Sequence, residues 1–461
     1  MESNKEQELA SAPMGRLFIR LAAPAVTAQI INVLYNLVDR MYIGHIPVIG
    51  AKALTGVGVT MPVILMISAF AALVSMGGAP RASISLGKGQ HETAEQILGS
   101  CTFTLSVISL ALTVLMLVWG RNILLLFGAS PDTIGYALDY INVYCLGTIF
   151  VQLSLGLNSF ITAQGYAVTS MLTVLIGAAL NILLDPVFIY LLHMDVKGAA
   201  LATIIAQGVS SCWVVGFLRS PKSIIRLKKQ NFRLRPKLLL PCIALGASPC
   251  LMQITENLVA ISFNVTLLKY AGDVAVGAVT ILSSIMNFVM LLLTGLTQGA
   301  QPILSYNLGA GNGERVKKAF GLLLASCVIG SVCIWCVCMF APAQVATVFT
   351  NDTVLIAYTA WALRIYMSMS MIFGVQVACQ YSFVALGNAP AAIFLSIYRK
   401  ILLLIPLIFL LPLFFENSAL GIFLAEPIAD TLAVCTTSVM FFVNFSKLLR
   451  SIKNVSQEAA D

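Results

Sequence analysis

The chain has 461 residues; 59% are hydrophobic, only 10% are charged, and Lys and Arg outnumber Asp and Glu by 27 to 19. A water-exposed surface needs roughly 25% charged residues, so with a mean hydropathy of +0.93 the main solvent must be bilayer hydrocarbon. At about 20 apolar residues per crossing, this length makes roughly twelve membrane helices and leaves no segment for a soluble catalytic domain.

In chain order, residues 1–14 form a polar tail of mixed charge, expected to be cytoplasmic and uncleaved because the apolar run behind it exceeds a signal h-region. Hydropathy predicts spans near 15–42, 53–78, 95–118, 134–159, 168–192 and 198–218, an N-lobe over 15–218. A basic linker over 219–238 follows, with Arg219, Lys222, Arg226, Lys228, Lys229, Arg233, Arg235 and Lys237 and no acid. Basic loops stay on the cytoplasmic side, so this one is expected to be a solvated, orienting loop. Six more spans near 239–268, 276–300, 317–341, 355–383, 390–413 and 419–446 make a C-lobe over 239–446, and 447–461 is a second cytoplasmic tail. The net charge of +8 is thereby absorbed by topology, and no nucleic-acid partner is expected.

A shift of 222 residues superposes the halves. It pairs Gly50 with Gly272, Pro80 with Pro302, Ser83 with Ser305, Gly87 with Gly309, Gly89 with Gly311, Tyr144 with Tyr366 and Gly165 with Gly387. Six spans per unit put both units into the membrane the same way round, a parallel repeat about an axis along the membrane normal. Two such bundles beside a central cleft can rock, which is the geometry of alternating access. Leu86-Gly-Lys-Gly89 and Leu308-Gly-Ala-Gly311 read as tight turns rather than phosphate cradles, because no strand precedes them and no Lys-Ser/Thr follows.

Charges inside spans are costly and usually face a bundle interior or a wet cavity. Five acids qualify: Asp39, Asp185, Glu256, Glu426 and Asp430. Gln29, Asn32, Asn36 and Asp39 make a polar stripe on the first helix, downstream of Pro24, where a kink is expected. On the fifth helix Asn181 and Asp185 share a face next to Pro186. Two carboxylates, an amide oxygen and the Thr203 hydroxyl suit Na⁺ as hard oxygen donors; the same acids suit a proton, and the sequence leaves both open. Glu426 and Asp430 bracket Pro427 with either a functional or a packing role, and Arg399 is a candidate partner for Glu256 or a snorkelling base. Tyr35, Asn158, Met252 and Met286 are candidates for a substrate cavity with apolar walls and few polar groups. Eleven Cys lie mostly in apolar runs and three His are scattered, so neither a disulfide framework nor a metalloenzyme site is expected, and no other cofactor.

Leu21-Ala-Ala-Pro24 with Asn36-Leu-Val-Asp39-Arg-Met-Tyr-Ile-Gly-His45 resembles the first helix of the multidrug and toxic compound extrusion (MATE) transporters. Asn181-Ile-Leu-Leu-Asp185-Pro186 and Gly198-Ala-Ala-Leu-Ala-Thr203 resemble their fifth and sixth helices, and Gln164-Gly165 and Leu386-Gly387-Asn388 their turns after the fourth helix of each half. The likeness spans nearly the whole chain, with a texture similar to the MepA-like bacterial branch. It implies an all-α, V-shaped, twelve-helix exporter in a bacterial inner membrane, with both termini cytoplasmic. It also implies a monomer among membrane lipid that expels amphiphilic, often cationic, compounds against inward H⁺ or Na⁺. Carried over by position, Asp39, Asn181, Asp185 and Thr203 match the N-lobe cation or proton site, and Glu256 a seventh-helix acid. The tenth span departs from the pattern: it has Arg364 and no internal carboxylate, which disfavours a C-lobe Na⁺ site. A lipid-linked oligosaccharide flippase of the same superfamily is the alternative, but its pyrophosphate cargo calls for a cationic cavity, whereas these intramembrane charges are mainly acidic.

Overall fold

The computed structural model describes residues 2–458, and among them there is helix and no strand. Hydrocarbon offers no partner for N–H and C=O groups, so each crossing must satisfy its own backbone as helix. Nine helices among the described residues are long and apolar enough to span a bilayer. Pro236–Gly309, with 74 residues, would be roughly 110 Å long if straight, against about 30 Å of hydrocarbon. It turns back at Gly272, whose φ of 75° only glycine adopts readily, and so supplies two spans. Two more spans are bent pairs: Ile134–Leu146 with Thr148–Ala163 at 60°, and Thr353–Tyr366 with Ser370–Ala385 at 54°.

Twelve crossings result. They are Met14–Gly44, Gly50–Gly87, His91–Leu126, the first bent pair, Ala167–Leu191, Asp195–Arg219, residues 236–271, residues 273–309, Gly313–Phe340, the second bent pair, Ala389–Leu413 and Ser418–Glu458. The first helix stays continuous through Pro24, contrary to the expected kink. The repeat reappears in the backbone. The fourth and tenth spans bend at matching places, and the fifth and eleventh each contain a π-helical stretch, Val187–Leu191 and Tyr398–Leu404. Gly89 and Gly311 have φ of 72° and 71°, and Gly165 and Gly387 have 85° and 80°, so the paired glycines form turns as expected. In the second half each turn passes to an asparagine N-cap: Asn312 accepts from the Arg315 N–H at 3.2 Å and Asn388 from the Ala391 N–H at 3.3 Å.

The two bundles form a V whose arms join at the end carrying the termini. There the Gly87 backbone abuts the Tyr306 carbonyl and Gly309 abuts the Ile84 carbonyl. These two contacts are related by the 222-residue shift, so the local symmetry axis passes between them. Gly77 against Cys242, Gly246 against Leu73, Gly295 against Val26 and Gly299 against Ala22 extend the seam, and a Cβ at any of them would overlap the neighbour. One apolar core runs across both bundles at this seam, while Ile43, Val57, Ile141 and Ala199 belong to a separate core in the N-terminal arm.

Two segments close that end. The helix Glu2–Ser11 lies under both bundles. Its buried Leu9 sits by Gly165 of the N-terminal bundle, and its carbonyl accepts from Asn307 Nδ2 at 3.2 Å and Arg315 Nη2 at 3.1 Å in the C-terminal one. Glu8 pairs with Lys5 and Arg20. The basic linker is docked rather than solvated. Gln164 Oε1 accepts from the Ile224 and Ile225 N–H groups at 2.8 and 2.9 Å and from Ser223 Oγ at 3.0 Å. Lys228 meets Glu95 at 2.6 Å, and Ser100 Oγ donates to the Arg233 carbonyl at 3.0 Å.

Candidate functional site

Within the N-terminal bundle the first, fifth and sixth spans bring together Asp39, Asn181, Asp185 and Thr203. Asp39, Asn181 and Asp185 are 7%, 2% and 0% exposed, so two carboxyl groups are held away from water at one place. Helical spacing puts Asn181 one turn from Asp185, and its amide donates to Asp185 Oδ1 and to Thr203 Oγ1, each at 3.3 Å. Thr203 in turn donates to the Ala199 carbonyl at 3.0 Å, which leaves its oxygen free to accept. Beyond Pro186, whose ring has no N–H to donate, the π-helical turn Val187–Leu191 widens the fifth span next to the acid.

Three oxygens of this group, Asp39 Oδ1, Asn181 Oδ1 and Asp185 Oδ2, receive no donor from the protein. A buried acceptor left so costs roughly 1–3 kcal/mol, more when charged. Asp39 and Asp185 lie within hydrogen-bonding reach of each other. Two facing carboxylates repel unless a proton or cation lies between them. The donor set is all oxygen, which fits Na⁺ as well as a proton, and among the described residues no cluster of His, Cys, Asp and Glu would hold a transition metal.

Next to this site is a cavity of about 420 Å³, lined by Asn32, Tyr35, Asn158, Asn181, Thr203 and Gln207 among others. The polar stripe of the first helix therefore divides. Asn32 and Tyr35 face this cavity, and Asp39 is buried at the acid pair. Asn36 bonds back to the Asn32 carbonyl at 2.6 Å, and Gln29 reaches across the seam to Gln298 at 3.1 Å. Asn158 donates to the Ser170 carbonyl at 3.2 Å. Tyr140, 3% exposed and hydrogen-bonded to Thr203, also borders the acid pair. It escaped sequence analysis, although Tyr136, Tyr140 and Tyr144 recur at four-residue spacing along one face.

The C-terminal bundle corrects two expectations. Arg399 neither snorkels nor pairs with Glu256; Nε donates to Asp430 at 2.7 Å and Nη2 to Glu426 at 2.9 Å. Lys400, unassigned in the sequence, is the residue that pairs with Glu256. Met286 is a 7% exposed member of the apolar core rather than a cavity wall, and Met252 receives a contact from Gln380 Nε2 at 3.3 Å.

The MatE family model matches residues 24–187 and 249–410, the transmembrane part of each half. The multidrug export protein MepA of Staphylococcus haemolyticus (strain JCSC1435) is 24% identical over 429 residues, 93% of each chain. A crystal structure of MATE in the bent conformation superposes with a TM-score of 0.91 at 20% identity, covering 98% of this chain and 99% of that one. The MATE multidrug transporter DinF-BH, solved with a drug bound, is 32% identical with a TM-score of 0.85, covering 93% and 95%.

Proposed function

The chain belongs to the MatE family, and from that premise we propose that it is a secondary multidrug exporter driven by inward movement of a cation through the Asp39–Asp185 site. The observation that carries this reading is the buried acid pair, with three oxygens idle beside a polar cavity in the same bundle. One proton between the two carboxyl groups satisfies both, so the proton is the coupling ion this geometry supports best; Na⁺ on the four oxygen donors is the second reading. Loading neutralises the pair and lets the first helix pack against the fifth. Release on the other side of the membrane restores the repulsion. A cation that binds the two access states unequally shifts their populations, which is all that coupling requires. Cargo is an amphiphilic organic compound, in keeping with what the multidrug relatives are named for, in a bacterial inner membrane with both termini in the cytoplasm.

The test is reconstitution into vesicles under an imposed ΔpH or ΔpNa with a fluorescent amphiphile as cargo. Under ΔpH the wild type should move cargo, and Asp39→Asn and Asp185→Asn should each lose gradient-driven transport by at least about tenfold, a coupling change of about 1.4 kcal/mol or more. Full transport in either variant would remove the site from the mechanism. Transport under ΔpNa alone would replace the proton with Na⁺.

A further inference from the structure

The C-terminal bundle contains five charged side chains that the coupling mechanism does not use. Glu256 comes from the seventh span, Arg399 and Lys400 from the eleventh, and Glu426 and Asp430 from the twelfth. Consecutive residues on an ordinary helix point about 100° apart. Here Arg399 and Lys400 are both buried, at 7% and 5% exposure, because they sit on the π-helical stretch Tyr398–Leu404, where the turn is wider.

The two bases differ in how they are held. Arg399 is committed: its guanidinium forks to two acids and lies 4.5 Å from the centre of the Phe373 ring. Lys400 has one ion-pair partner, Glu256, whose side chain is 55% exposed although the lysine is not. Lys400 also lies in the field of Glu426 and Asp430. Glu426 is 3% exposed, and its Oε2 receives no donor. Three carboxylates face two fixed cations, so the cluster is one positive charge short, and the idle acceptor is buried behind the lysine.

We propose that Lys400 is a resident ammonium that occupies Glu256 between transport cycles and yields it to a monovalent lipophilic organic cation, turning inward to Glu426. The exchange leaves no charge unpaired. Glu256, the exposed acid, takes the incoming cation; Lys400, on its flexible four-carbon stem, supplies the donor that Glu426 Oε2 lacks. The loaded cluster is neutral, which selects for one positive charge rather than none or two. This inference rests on the exporter reading and adds its substrate class and the residues that recognise it.

The experiment measures binding of radiolabelled tetraphenylphosphonium, with uncharged triphenylphosphine oxide as comparison, to the full chain in nanodiscs. Lys400→Met removes the competitor and should tighten tetraphenylphosphonium binding by about tenfold. Glu426→Gln removes the inward destination, holds Lys400 on Glu256, and should weaken binding by a similar factor. Glu256→Gln should weaken it in either background, and the uncharged comparison should follow none of these changes. Lys400→Met binding no tighter than the wild type, or tightening equally toward the uncharged compound, overturns the proposal. Should Lys400→Met fail to fold, Glu426→Gln decides alone, and undiminished affinity there overturns it. No tetraphenylphosphonium binding by either the wild type or Lys400→Met also overturns it, whereas proton-driven export of an uncharged amphiphile by that protein would leave the exporter reading intact.

Discussion

Asp39 and Asp185 could be picked out of the sequence because a carboxylate inside an apolar run is expensive wherever the run ends up. Their partners were less visible. Whether Arg399 or Lys400 meets Glu256 depends on the local helix winding, and the π-helical turn that aims both inward leaves no composition signal. Met286 looked like Met252 in sequence, and only the packing of neighbouring helices puts one in the core and the other beside Gln380. Gln164 shows how much one side chain can hold. Its oxygen satisfies two backbone N–H groups and a hydroxyl of the linker, all on buried residues. Gln164→Leu leaves those donors unmade at roughly 1–3 kcal/mol apiece. Limited trypsin digestion should then cut at Lys222 to Lys229 much faster than in the wild type while the spans remain intact. An unchanged cleavage rate would mean that Lys228–Glu95 and the Ser100 contacts hold the segment unaided.

Span positions were largely legible at the scale of elements, since about 20 consecutive apolar residues have few alternatives to helix. The breaks within spans were not. The fourth and tenth spans bend by 60° and 54° without a proline at the break, so their bends come from packing rather than from a local rule. The linker's docking was also hidden, because eight bases and no acid describe orientation but not whether the backbone finds a surface. The helix Glu2–Ser11 is the other element that sequence left as a tail. By bonding through Leu9 to Asn307 and Arg315 while packing beside Gly165, it ties the two bundles together at the seam. Deleting residues 2–11 should therefore favour separation of the bundles at that end. Spin labels on the turns at Lys88 and Ala310 should report a longer distance population that is minor in the full chain. An unaltered distribution would show that the glycine seam alone sets the balance.

For the whole molecule, the repeat foretold more than architecture: the contact of Gly87 with Tyr306 and that of Gly309 with Ile84 are the same contact made twice. The divergence of the bundles was foretold only by family likeness, since no periodicity encodes an angle between lobes. Because glycine lets backbone meet backbone there, Gly87→Val should force the seam apart. Cys242, fully buried against Gly77, should then react with a maleimide that leaves it untouched in the wild type. Persistent protection of Cys242 would place the closure elsewhere. A layer in which main chains touch without water between them is also an electrical insulator. If the open arms of the V admit water, the membrane potential falls mainly across this thin plug and not across the arms. Work of about 2.3 kcal/mol per elementary charge for each 100 mV is then done when the closed layer changes sides. Voltage should accordingly speed or slow the reorientation step and leave cation affinity at the acid pair nearly unchanged.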